Sequence, residues 1–188
     1  MLKFFSSRLL FLSLLSCLTG ALVFSACKSN NPYTQQYSDH KQAQITIDEA
    51  SIQKFLADSS ITNYTRTESG LFVQPLKEGA GDVLQKGQRV EIRYIGRFLN
   101  DGQIGTVFDS SYDNRTPCQC IQGVVGAGVF RPGFEEALSL MKVGDRKRVF
   151  MPSALGYGST LSGDATPPAN IGNDQVLVFD MIVTRVVQ

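Results

Sequence analysis

The chain has a single histidine, His40, and none of the arrangements through which most enzymes attack or protonate a bond. There is no G-x-S-x-G elbow, no H-E-x-x-H, no glycine-rich phosphate loop and no serine–histidine pairing. Those absences argue against serine-hydrolase, metalloprotease and nucleotide-hydrolase chemistry. His40 stands in a polar stretch with no second histidine to join it and reads as a solvated bystander. Charge of one sign is also lacking: the formal net charge is +1, so no field gathers nucleic acid. The one basic run, Lys142, Arg146, Lys147 and Arg148, is broken by Asp145 and reads as a solvated strand face. Zinc takes about four ligands, and only Cys118 and Cys120 lie in the globular part, so neither metal nor cofactor is expected.

Long apolar runs are scarce too. The longest, residues 9–24 "LLFLSLLSCLTGALVF", falls short of the ~20 residues a spanning helix needs. It follows a basic lead, Lys3 and Arg8, and precedes "FSAC" at 24–27, which is the pattern of a secretory signal. "FSAC" resembles a bacterial lipobox, with Phe24 in place of the usual aliphatic residue. The resemblance implies a lipoprotein signal peptide over 1–26 and lipidation of Cys27, with several acyl chains sufficient for stable anchoring. Residues 28–44 contain no Leu, Ile, Val, Phe or Met and cannot build a core. Residues 27–44 therefore read as a lipidated flexible tether.

What the chain does contain is ordinary globular composition, 43% hydrophobic and 19% charged, at a length for one domain with an appendage. Thr46-x-x-Glu49 has the form of a capping box, and Ile52, Phe55 and Leu56 follow at helical spacing. A short helix to about Ser59 is predicted, within an N-terminal helix-and-linker segment over 45–66. Its apolar stripe either packs on the main domain or pairs two copies of the chain. From Ser69 onward the pattern is short strands between glycine-bearing turns. "RVEIRYIGRFL" alternates cleanly, with Val90, Ile92 and Tyr94 on one face and Glu91 and Arg93 on the other. "NDGQIG" is a turn, and "CQCIQGVV" reads as a strand. "RPGFEEALSLMKVGD" reads as a helix, with Pro132 near its start, Phe134, Leu138 and Met141 on one face, and Gly144 as its stop. Strands in succession with one helix among them predict an α+β domain over 67–188, a largely antiparallel sheet wrapped around one short helix.

Cys118 and Cys120 stand one residue apart. On a strand, residues i and i+2 lie ~6.6 Å apart with parallel side chains, near or beyond the reach of a disulfide. The pair therefore reads as a small apolar step on one strand face.

The order of motifs "VEIRYIGRFLNDGQIGTVFDSS", "PGFEEALSLMKVGDRKRVFMP", "LGYGS", "PP" and "LVFDMIV" resembles that of the FKBP-type peptidyl-prolyl cis–trans isomerases. The likeness runs from about Ser69 to Gln188, and extends to the lipidated, helix-preceded members that bacteria export. It implies an apolar bowl in which Tyr94, Phe108 and Asp109 form a wall, Phe134 the floor, and Phe179 the far side. Tyr157 would offer a hydroxyl, and the backbone at Phe130 and Arg131 would bond a bound peptide. Cys118 would stand where the family brings an aromatic to the wall, and Phe134 where it usually has Trp. The implied activity is isomerisation of X-Pro bonds in proline-containing peptides or unfolded exported proteins. The implied location is the bacterial cell envelope, facing periplasm or exterior. The alternative is a non-catalytic binding module or chaperone of the same fold, which the lost Trp and the two cysteines favour.

Overall fold

The structure is a computed structural model and describes residues 31–187. The signal segment and Cys27 lie outside the described residues. Helix α1 (Pro32–Asp58) is followed by strands β1 (Thr65–Arg66), β2 (Phe72–Lys77), β3 (Arg89–Asn100), β4 (Gln103–Ser110) and β5 (Ile121–Val124). Helix α2 (Pro132–Ser139) and strands β6 (Arg146–Met151) and β7 (Leu177–Val187) complete the fold. Three short 3₁₀ turns lie at Ser111–Asp113, Ser153–Leu155 and Thr160–Ser162. No described helix is long and apolar enough to cross a membrane.

All strands pair antiparallel, in the order β1-β2-β6-β7-β3-β4. The remaining edge of β3 is shared: β5 pairs with Arg89–Ile92 and β4 with Ile95–Asn100. The strands part at Arg93–Tyr94, where the Tyr94 amide donates to Ser111 Oγ (3.0 Å) instead of a neighbouring strand. Asp101 and Gly102 both take positive φ, 49° and 71°, the geometry of a two-residue hairpin with a type I′ turn. The turn read from "NDGQIG" is therefore confined to Asp-Gly, and β4 resumes at Gln103.

Alternation along the central strands gives the sheet two apolar faces. Val73, Ile92, Tyr94, Val149, Phe179 and Met181 point to the face covered by Phe134, Ala137, Leu138 and Met141. Phe72, Phe150 and Val178 point the other way and pack with Ile52 and Leu56 of α1. The stripe on α1 thus packs on its own domain. α1 ends in a Schellman motif: the Ile61 amide donates to the Leu56 carbonyl (2.8 Å) and that of Ser60, at φ 54°, to Ala57 (3.0 Å). Ile61 then joins the same apolar cluster, the contact that commonly accompanies this cap.

α1 corrects two expectations. Residues 32–44 are helical rather than a loose tether, and Thr46 is no cap, because it lies inside the helix with its hydroxyl bonded back to Gln42 O (3.3 Å). Polar contacts hold this stretch, which is why a search for apolar periodicity misses it. His40 Nε2 lies 3.1–3.2 Å from both oxygens of Asp174, Lys41 Nζ lies 3.7 Å from Asp164, and Gln44 donates to Asp48 (2.7 Å). His40 is accordingly a structural partner and no bystander. α2 is also shorter than its motif: it stops at Ser139, and Met141 is buried just past its end.

Leu56→Ala would open a cavity between α1 and the sheet. A loss of about 2–4 kcal/mol is expected from the removed side chain and the space it leaves, read as a lower midpoint in urea at unchanged slope.

Candidate functional site

One end of the α2-facing side of the sheet is left open as a bowl. Tyr94, Asp109, Ile121, Val129, Phe130, Arg131, Phe134, Tyr157 and Phe179 line it and enclose about 200 Å³. They come from several elements: Tyr94 from β3, Asp109 from β4, Ile121 from β5, Val129, Phe130 and Arg131 from the loop before α2, Phe134 from α2, Phe179 from β7, and Tyr157 from the turn after Ser153–Leu155. Sheet closure therefore assembles the site from residues up to 85 positions apart (94 to 179).

Three of the ring pairs meet edge to face. Phe134 stands 5.4 Å from Phe179 at 89° and 5.6 Å from Tyr94 at 83°. Phe108 stands 5.6 Å from Phe179 at 86°. Such contacts set the positive edge of one ring against the negative face of another and fix both planes. Two glycines make room for them. A Cβ at Gly96 would lie 2.7 Å from Phe108 and 2.9 Å from Phe179, and one at Gly123 would lie 2.3 Å from Phe130. The Gly96 carbon faces Phe179 directly across the β3–β7 ladder.

The polar groups of the bowl are mostly occupied. The Tyr94 hydroxyl donates to Asp109 Oδ2 (2.6 Å), and Asp109 Oδ1 accepts from the Ser110 amide (2.8 Å). Burial first, and then the Asp109 carboxylate, push the Tyr94 phenol well above its ordinary value, so it stays a neutral donor. Arg131 lays its guanidinium over the Tyr157 ring at 4.8 Å. The Tyr157 hydroxyl has no hydrogen-bond partner among the described residues. Ahead of α2, Glu135 reaches back to accept from the amides of Gly126 (2.9 Å) and Phe130 (3.0 Å). The Arg131 carbonyl is taken by the Phe134 and Glu135 amides. Of the two backbones expected to meet a peptide, the Phe130 amide is thus already engaged, and the Arg131 amide is the available donor.

Most of the expected site residues converge: Tyr94, Asp109, Phe130, Arg131, Phe134, Tyr157 and Phe179 all line the bowl. Phe108 stands one layer back, between Phe98 (5.0 Å) and Phe179, as a buttress. Ile121 and Val129 were not expected. Their only signal is adjacency, Ile121 following "CQC" and Val129 preceding Phe130.

Cys118 is the clear correction. It does not line the bowl, and it forms a disulfide with Cys120. The strand argument fails because these residues are not on a strand: β5 begins at Ile121, and Gln119 takes φ 49°. That left-handed residue folds the chain back and brings the two Cα atoms to 5.1 Å, inside disulfide range. The loop is fastened on the outer side of β3, where Arg93 Nε donates to Cys118 O (2.8 Å). Glu91 Oε and the two sulfurs lie within 4.8 Å of one another. The sulfurs are bonded to each other, and both Glu91 oxygens accept from Arg185 at 2.7 Å. This trio is committed to other partners and offers no ready metal site. In the native protein, intact mass should lie two units below the dithiol value, and alkylation of Cys118 and Cys120 should require prior reductant. Rapid alkylation of the folded, unreduced protein would contradict the disulfide.

Comparison with known proteins gives the same reading. The family model described as FKBP-type peptidyl-prolyl cis-trans isomerase matches residues 81–183. An FK506-binding protein of Neisseria meningitidis serogroup B is 33% identical over 117 residues, covering 62% of this chain and 96% of its own length. The FKBP-type 22 kDa peptidyl-prolyl cis-trans isomerase of Escherichia coli is 34% identical over 116 residues, covering 61% of this chain and 49% of its own. Among solved structures, a peptidyl-prolyl cis-trans isomerase from Pseudomonas syringae pv. tomato superposes with a TM-score of 0.58 at 22% identity, over 78% of this chain and 96% of that one. That last likeness bears on the fold.

Proposed function

Because the chain belongs to the FKBP-type peptidyl-prolyl cis–trans isomerase family, we propose that this isomerase assists folding of exported proteins from a lipid anchor at Cys27. The observation that carries the catalytic reading is the bowl itself, apolar rings with one unengaged hydroxyl and no free proton carrier. An X-Pro bond rotates over a barrier of ~20 kcal/mol and takes tens to hundreds of seconds unaided. At the twisted transition state amide resonance is lost and the carbonyl is less polar. An apolar bowl favours that state over the planar, well-hydrated amide, which is differential binding of the transition state.

Each residue has a place in that scheme. Phe134, Phe179 and Tyr94 hold the proline ring against their edges and faces, with Phe108 fixing Phe179 from behind. The Arg131 amide holds a carbonyl of the bound peptide. Tyr157 donates to a peptide carbonyl as the bond twists. Asp109, with both oxygens bonded, orients Tyr94. Tyr157→Phe should lower kcat/KM about two- to tenfold, the worth of one ordinary hydrogen bond. Phe179→Leu removes its edge-to-face ring contacts and should cost about tenfold. A protease-coupled assay on an apolar-X-Pro peptide checks both, and a folded wild-type protein no faster than buffer would refute the catalytic scheme.

Export and anchoring rest on the basic lead, the apolar run at 9–24 and "FSAC". The full chain should partition into detergent, and mass spectrometry should find an acylated Cys27 at the mature N-terminus. Cys27→Ser should abolish the acyl mass. An unmodified terminus at another residue would refute the anchor.

A further inference from the structure

Tyr157 packs its ring against the core and under Arg131, and the backbone of the short turn that carries it sets where its hydroxyl points. The turn is organised by one carbonyl. Ser153 O accepts from the Gly156 amide (2.9 Å) and the Gly158 amide (2.8 Å), the residues on either side of Tyr157. Ser153 is in turn gripped from the opposite side by a residue 105 positions earlier. Its amide (2.8 Å) and hydroxyl (2.6 Å) both donate to Asp48 Oδ2, on α1. Both residues are buried, Asp48 at 1% and Ser153 at 2% exposure.

We propose that Asp48 is a positioning residue for the isomerase site, acting through Ser153 to hold the turn that carries Tyr157. This rests on the reading of Tyr157 as the hydrogen-bond donor to the twisting amide. Two further ties run from the same helix to the same turn. Gly158 O accepts from the Asp174 amide (3.1 Å), and the Asp174 carboxylate meets His40. The Ser159 amide donates to Asp164 (3.3 Å), and Asp164 meets Lys41. Tyr37 packs on Gly163, where an added Cβ would stand 3.0 Å from its ring. The polar first half of α1 and the long segment between Tyr157 and β7 are therefore partners. Neither the helix nor Asp48 falls within residues 81–183, the part that matches the family model.

A buried carboxylate that faces no cation among the described residues is a costly way to fasten a helix. Burial lifts the Asp48 carboxyl, and the bonds from Ser153 and Gln44 counter it. The stripe of Ile52 and Leu56 already docks α1 on the sheet, so docking alone gives no reason for Asp48. What the carboxylate adds is direction: it takes two donors from one residue and so orients that residue's carbonyl toward the turn.

The test is a double-mutant cycle in the full chain. Asp48→Ala should lower kcat about two- to tenfold, no more than Tyr157→Phe does, with KM little changed. In a Tyr157→Phe background the same change should cost less than about twofold, since coupled residues are non-additive. Asp48→Asn should recover most of the rate, because its oxygen can still accept from Ser153 once the Gln44 amide turns over. Hydrogen exchange should quicken at the Gly156 and Gly158 amides in Asp48→Ala and stay unchanged at strand amides of β3. If Asp48→Ala does not fold, Ser153→Ala, which removes one donor, carries the same readouts. An equal loss in both backgrounds, or unchanged exchange at both glycines, would overturn the positioning role. Quickened exchange together with wild-type activity in Tyr157→Phe would instead overturn the role of the hydroxyl and leave the positioning intact.

Discussion

The structure depends on β7 being buried on both faces, with Asp180 on its α1-facing side held by Arg148 at 2.7 Å. Phe179 and Met181 look toward α2 while Val178 looks toward α1, and the strand lies between β6 and β3 with both ladders filled. A strand with two buried faces and two paired edges leaves no freedom of register, because a slip of one residue would exchange the sets. Register on β7 then decides where Phe179 sits, and Phe179 sits against Tyr94, Phe108 and Phe134. The aromatic bowl is a consequence of that pairing.

The bowl in turn shows why this chemistry asks so little of acid–base groups. Rotation about a C–N bond breaks nothing and moves no proton, so binding shape and polarity carry the catalysis. The ionisable groups nearest the site are arranged accordingly. Asp109 is satisfied by Tyr94 and Ser110, and Glu135 by two backbone amides. They stiffen the rim, and among the described residues lining the bowl the hydroxyl without a hydrogen-bond partner is that of Tyr157.

Two segments outside the sheet are shaped by contacts distant in sequence. The polar half of α1 is held as a helix against Asp164 and Asp174, which meet Lys41 and His40. The Cys118–Cys120 loop closes because Gln119 adopts a left-handed conformation while Ser111 and Arg93 hold its carbonyls. In both cases a local rule, low apolar content in one and strand spacing in the other, yielded to partners on other elements.

By itself the sequence determined the alternation of β3 and β7, the α2 motif with Pro132 at its start, and the order of pieces that identifies the family. It also marked the aromatic residues of the bowl, since each of these is carried by a periodicity or by a motif a few residues long. Only the tertiary structure decided that residues 32–44 are helical, that Cys118 leaves the wall for a disulfide, that Ile121 and Val129 line it, and that Asp48 reaches Ser153. These outcomes turn on polar contacts across as many as 134 positions, as between His40 and Asp174, and on one residue at positive φ. Hydrogen bonds of that kind have no period along the chain; they exist only once the sheet has closed and brought their donors and acceptors within 3 Å or so of each other.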